Sequence, residues 1–355
     1  MNDTMPPIFD GHNDVLLRLL RKDVPDKARA FIDGDGAGHL DLPRMKQGGF
    51  AGGMFAVFIP SLKDAGNPDE LMRQANYDVP MPGAMTSGQS MPAAFAMTAI
   101  LARIERLSDA RVKICRSASE LRQAIDAGVL ATVLHFEGAE PIDQDLDALD
   151  VFYKAGLRSL GPVWSRSNIF GHGVPFRFPS TPDVGGGLTD AGKALVKACN
   201  GLRIVIDLSH ITEQGFWDVA KLSDAPLIAT HSNAHALCTH SRNLTDRQLA
   251  AIKETGGMVG VNFATCFLRA DGRMSADTPL ADMLRHMDYL IEHVGEDHVG
   301  LGSDFDGATV PADIGDVAGL PRLRAAMRAH GYGEALMRKL CYESWLNVLE
   351  RSWGH

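Results

Sequence analysis

Short apolar runs rich in β-branched residues recur along the chain, each closed by a polar or ionisable residue and followed by a longer segment whose apolar positions return with helical period. Eight such runs are legible, at 8–10, 53–59, 130–136, 158–164, 203–207, 227–230, 258–262 and 298–302. Strand-length runs alternating with helical segments imply parallel strands joined by crossover helices, and eight of them close a (β/α)8 TIM barrel of the α/β class. Several helices carry start signals. Ser117-x-x-Glu120 and Thr245-x-x-Gln248 have capping-box spacing, and Thr278 precedes a proline suited to a first helical turn. Loop insertions stand out at two places. A Pro/Gly/Met-rich loop over 79–92, followed by a helix over 93–107, separates the second and third strands, and a Gly/Pro-rich stretch over 165–187 follows the fourth strand, on the face where such barrels place their chemistry. The segment after Leu320 reads as extra C-terminal helices packed on the barrel, and with no linker or composition shift, residues 1–355 are expected to form one domain.

Composition narrows the class of partner. A formal net charge of -9 without any lysine or arginine block removes the electrostatic footprint that nucleic acid requires. The five cysteines are scattered and never spaced C-x-x-C, which argues against a disulfide framework and against a cysteine zinc site, and fits a reducing compartment. The chain shows neither a basic start leading into an apolar stretch nor eighteen uninterrupted apolar residues. A soluble, cytoplasmic protein without a membrane partner is the expectation.

The residues that close the runs carry the chemistry. His12 and Asp14, two apart at the end of the first strand, face the same side of an extended chain and make a plausible pair of ligands on one metal. Glu137 ends ATVLHFEG, and a carboxylate at the barrel centre can bridge two cations about 3.5 to 4 Å apart. His210 and His231 close RIVIDLSH and LIATHSN, so two consecutive strands each bring an imidazole to the same rim. His135, two residues before Glu137, points the same way but deeper, as a core or supporting histidine, and His235 lacks the glutamate that would make a helical metalloprotease pair with His231. Asp304, in GLGSDFDG, is placed either for general acid or base work or, with Asp306, to cap a turn. Arg242 brings a planar cation suited to a substrate carboxylate or an oxyanion. Neither G-x-S-x-G nor a P-loop is present, and GLGSDFDG lacks the third glycine of a dinucleotide fingerprint.

Taken together, DGHNDVLLR, HFEGAE, IDLSH, ATHSNAHAL with SRN, and GLGSDFDG resemble the membrane (renal) dipeptidase family, the zinc dipeptidases of the amidohydrolase superfamily, over nearly the whole length. The resemblance implies a distorted TIM barrel holding two divalent metal ions, zinc in the family. His12, Asp14 and Glu137 would match the ligands of one ion and Glu137, His210 and His231 those of the other, with Arg242 contacting substrate and Asp304 handling the proton. It also implies a homodimer that cleaves free dipeptides, in several members with a D-residue on the C-terminal side. Hydrolysis by a metal-bridging hydroxide follows from such a site.

Two positions depart from the family pattern. Trp164 stands where a histidine often touches the scissile carbonyl, which leaves that task to a metal or to a neighbour such as Arg166 or Asn168. Phe58 replaces a tyrosine that helps hold the substrate carboxylate. Two alternatives stay open: another hydrolase of the superfamily, such as an N-acyl-D-amino-acid deacylase or a lactonase, and an inactive metal-binding assembly protein.

Overall fold

A computed structural model of the chain describes residues 5–61 and 68–354. Eight parallel strands follow one another around a ring: β1 (Ile8–Asn13), β2 (Phe50–Phe58), β3 (Leu130–Glu137), β4 (Leu157–Gly161), β5 (Val205–Ile206), β6 (Ile228–Ala229), β7 (Met258–Asn262) and β8 (Val299–Gly302). Asp10 pairs with Leu301 to join β1 to β8, and a single bridge between Asp207 and Ile228 joins β5 to β6, so the sheet closes. Each strand is the one expected from its apolar run, displaced by a few residues at its ends.

The distortion has an identifiable source. A short strand, Val112–Ile114, pairs with the first residues of β3 at Val112↔Leu130 and Ile114↔Thr132, and β4 takes over the same edge from Leu134 onward. An additional strand therefore fills the lower part of the seam between β3 and β4. Helices occupy the outside of the ring, with apolar faces buried and acidic or hydroxyl side chains at their starts. Ser117 accepts from the Glu120 amide at 3.2 Å, and Thr245 with Gln248 forms a complete capping box. Thr278 behaves otherwise: Pro279 occupies the N-cap position of helix Leu280–Val294 without a side-chain cap, and the Thr278 hydroxyl donates to Ser275 O at 2.6 Å.

The long insertion holds more helix than the sequence predicts. Helix Ser87–Leu107 begins at a Thr86/Gln89 capping box and carries Pro92 inside it. Two-residue segments, Tyr77–Asp78 and Arg177–Phe178, pair antiparallel and tie the first insertion to the stretch after β4. At the opposite end, the C-terminal helix Ser344–Trp353 sends the fully buried Trp345 into the barrel floor, where its indole N–H donates to Leu301 O at 2.9 Å. Cβ atoms on Gly11 or Gly300 would press into that indole, so these strand glycines make room for it. No helix among the described residues is long and apolar enough to cross a membrane.

Candidate metal centre

The ionisable residues that close the strands converge at the carboxyl rim of the barrel. His12 lies inside β1 with Asp14 just beyond it, Glu137 is the last residue of β3, and His210, His231 and Asp304 follow β5, β6 and β8. Parallel strands in a closed ring all end at the same rim, which is why residues spread from 12 to 304 meet there. His210 and Asp304 adopt left-handed backbone conformations, φ 66° and 57°, which cost non-glycine residues about 1–3 kcal/mol each. Gly307 is fixed by the same crowding, since a Cβ there would run into the carboxylates of both Asp14 and Asp304.

Glu137 stands at the centre. Its Oε1 lies 3.0 Å from His210 Nε2 and 3.5 Å from His231 Nε2, while its Oε2 lies 3.7 Å from His12 Nε2. His12 Nε2 is in turn 3.4 Å from Asp14 Oδ2, and the Nε2 atoms of His210 and His231 are 3.0 Å apart. Three ligand-sized groups result, each with its donor atoms within 4.8 Å of one another: His12 with Asp14 and Glu137, Glu137 with His210 and His231, and His12 with His231 and Asp207, whose oxygens already accept from Ser209 and Thr230. The five residues of the first two groups are buried, and His12 Nδ1, His12 Nε2 and Asp14 Oδ1 have no hydrogen-bond partner among the described residues. Polar atoms buried in that state are costly unless something satisfies them, and a set of imidazoles and carboxylates facing one another suits divalent cations.

Electrostatics agree with the geometry. Burial drives the Glu137 carboxyl well above its ordinary range despite the opposing pull of His12, and burial likewise raises Asp304. For His12, burial pulls downward but is outweighed by Glu137, Asp14 and Asp304, which lift it to about 10. Burial, helped by the positive field of His12 and Arg242, holds His210 and His231 well below the ordinary histidine value, so both are neutral and able to ligate.

A supporting layer surrounds these groups. Ser165 Oγ is 2.8 Å from His210 Nδ1 and Thr230 Oγ1 is 2.8 Å from His231 Nδ1. His135 lies beneath, its Nδ1 2.9 Å from Ser159 Oγ and its Nε2 3.7 Å from Asp207 Oδ2. Asn262, at the end of β7, donates to Asp304 Oδ2 at 3.0 Å. It was not among the residues expected from sequence, although an amide closing the apolar run MVGVN is the same kind of signal. Asp306 is occupied elsewhere, accepting from His39 N at 2.6 Å and from Arg18 Nε at 3.1 Å, so of the two aspartates in GLGSDFDG only Asp304 faces the rim.

The mouth is aromatic on one side and cationic on the other. Phe58 and Trp164 meet edge to face with centroids 4.8 Å apart, and Trp164 and Phe176 lie 5.8 and 5.9 Å from the His210 ring. Arg242 is buried over Phe267, donating to His231 O at 3.1 Å while its Nε has no partner among the described residues. Arg166 and Asn168 do not reach toward a reacting carbonyl. Arg166 is fully buried, donating to Glu140 Oε1 at 2.9 Å and to Ile59 O at 2.9 Å, and Asn168 donates to Pro162 O at 2.9 Å. Both shape the loop that carries Trp164. His235 donates to Ser180 O at 2.8 Å, away from the carboxylates.

Comparison with known proteins places this arrangement. An uncharacterized protein in the pqqA 5' region of Klebsiella pneumoniae is 52% identical over 255 residues, 72% of this chain and 94% of its own length. The crystal structure of a metallo peptidase from Rhodobacter sphaeroides, liganded with a phosphinate mimic of the dipeptide L-Ala-D-Ala, is 58% identical and covers 99% of this chain and 100% of its own, with a TM-score of 0.97. The probable dipeptidase PvdM from Pseudomonas aeruginosa, 25% identical, superimposes with a TM-score of 0.80 over 98% of this chain and 96% of its own. The sequence profile of the membrane dipeptidases, peptidase family M19, matches residues 3–352, and the chain belongs to that family.

Proposed function

We propose that this metallo-dipeptidase uses two divalent cations, zinc in the first instance, to hydrolyse the amide bond of free dipeptides. His12, Asp14 and Glu137 would hold one ion and Glu137, His210 and His231 the other. The observation that carries this reading is the division of labour within one buried carboxylate, whose Oε1 faces His210 and His231 while Oε2 faces His12. When bound, such a pair of cations supplies hydroxide at neutral pH and offsets the negative charge that develops on the carbonyl oxygen.

The remaining steps belong to the chain. Asp304, oriented by Asn262 and raised by burial, is suited to take a proton and pass it to the departing nitrogen. Arg242 is held on the rim as a fixed cation for the substrate's terminal carboxylate. Trp164 and Phe58 place their rings on the His210 side of the mouth. The Rhodobacter sphaeroides relative was crystallised with a mimic of L-Ala-D-Ala, which makes an L-residue followed by a D-residue the first substrate type to try.

The test is a side-by-side assay of zinc-reconstituted protein on L-L dipeptides, L-D dipeptides and N-acylated amino acids. Turnover of free dipeptides, with N-acylated compounds refused, supports the proposal. The reverse preference would establish a deacylase instead, and zinc-independent rates would remove the metal reading.

A further inference from the structure

Behind His231 lies a chain of hydrogen bonds that the reaction itself does not use. Asp207 Oδ1 accepts from the amides of Ser209 at 3.0 Å and Thr230 at 2.8 Å, and its Oδ2 accepts the Thr230 hydroxyl at 2.7 Å. The same hydroxyl oxygen lies 2.8 Å from His231 Nδ1. A hydroxyl has one hydrogen, and here the carboxylate takes it. The oxygen can then only accept from His231, which places the imidazole proton on Nδ1 and leaves the Nε2 lone pair facing Glu137. Every member of this chain is buried, so water cannot substitute for any link.

His210 is supported differently. Ser165 Oγ, 2.8 Å from His210 Nδ1, has no carboxylate behind it among the described residues and can rotate to donate or to accept. His210 Nε2 lies 3.0 Å from His231 Nε2 and 3.0 Å from Glu137 Oε1, so nothing among the described residues around the ring fixes its proton to one nitrogen.

We propose that Asp207 and Thr230 are positioning residues that lock His231 in its ligating tautomer through a carboxylate–hydroxyl–imidazole relay, while Ser165 leaves His210 free to exchange tautomers as the metal arrives. The proposal rests on the two-cation reading above, for which this relay would fix the geometry of one site only. Supporting partners of this kind contribute about 10–100-fold to metal affinity.

Asp207→Asn keeps the shape but supplies an amide donor where the carboxylate accepted, so the Thr230 hydroxyl turns toward His231 and pushes its proton onto Nε2. Thr230→Val removes the link, and Thr230→Ser restores it. Two readouts apply: zinc stoichiometry and affinity by chelator competition, and nitrogen-15 histidine spectra of the zinc-free protein, which report the proton on each ring nitrogen. The expected result is Nδ1–H on His231 in wild type and T230S, Nε2–H in D207N, and a tenfold or greater loss of affinity for one of two zinc equivalents in D207N and T230V. Should D207N fail to fold, the T230V and T230S pair decides. An unchanged His231 tautomer, with both zinc equivalents bound at wild-type affinity in D207N and T230V, would overturn the relay. A wild-type protein that takes only one zinc overturns the two-cation reading instead, and the zinc-free spectra still judge the relay separately.

Discussion

At the scale of single residues, Glu137 and Asp304 are both buried carboxylates raised by burial, yet their surroundings assign them different work. Glu137 has imidazoles opposite both of its oxygens, whereas Asp304 meets one amide donor, Asn262, and the Asp304 amide is tied to His12 O at 3.0 Å. Glu137→Ala should therefore lower zinc content below two equivalents per chain and abolish most hydrolysis, and a variant that keeps two zincs and full turnover would refute the bridge. Asp304→Asn keeps the hydrogen-bonding shape and should leave zinc content intact while slowing turnover by about 10²–10⁴-fold, the usual range for a lost general acid or base. An undiminished rate in that variant would take Asp304 out of the mechanism. These residues were legible in sequence because each one closes an apolar run, and a buried run cannot end on a charge without something to neutralise it. Asn262 and Thr230 escaped notice for the converse reason: uncharged polar residues at strand ends are common, and only their partners across the ring give them meaning.

At the scale of elements, the eight strands could be read because each is a continuous apolar run, as strands covered on both faces must be. The parts that could not be read are held by contacts distant in sequence. Val112–Ile114 is a strand only because β3 offers it an edge, and Tyr77–Asp78 pairs with Arg177–Phe178 across a hundred-residue separation that no local pattern records. Pro92 argued for a loop, but the Thr86/Gln89 capping box and the burial of Ala94, Met97, Leu101 and Ile104 carry the helix through it. The C-terminal helix is the clearest case of an element whose purpose appears only in three dimensions. Trp345 fills the floor beneath β1, β7 and β8, with glycines at 11, 260 and 300 shaped around it. Trp345→Ala should leave a cavity and lower stability by about 3–5 kcal/mol. Gly300→Ala, which overfills the same space, should lose about 1–3 kcal/mol. Both are measured by urea denaturation, and a Trp345→Ala protein as stable as wild type would show that the helix is merely attached.

At the scale of the whole molecule, the barrel keeps many histidines neutral in its interior, and this sets how the fold responds to acid. His286, on helix Leu280–Val294, lies apart from the proposed metal ligands, among Ala234 and Leu268. Its Nδ1 accepts from Ala234 N at 3.2 Å, its Nε2 donates to Leu268 O at 3.0 Å, and burial lowers it from 6.5 to about 4. Both nitrogens are therefore committed in the neutral form, and a second proton would break the bond to the loop that follows His231. The folded chain holds the proton less tightly than the unfolded chain, whose histidine titrates near 6.5. The stabilisation is accordingly complete above pH 6.5 and is lost as the pH falls toward 4. A separation of this size corresponds to about 3 kcal/mol for one group. His135, also lowered to about 4 by burial, adds to the same trend. Urea denaturation of the zinc-free protein at pH 7.5 and pH 4.5, in wild type and in a His286 variant, isolates this contribution as a difference. His286→Gln, although less stable at pH 7.5, should lose about 3 kcal/mol less than wild type between the two pH values. Parallel losses in the two proteins would mean that the helix does not depend on a neutral imidazole, and that acid unfolds the barrel through other groups.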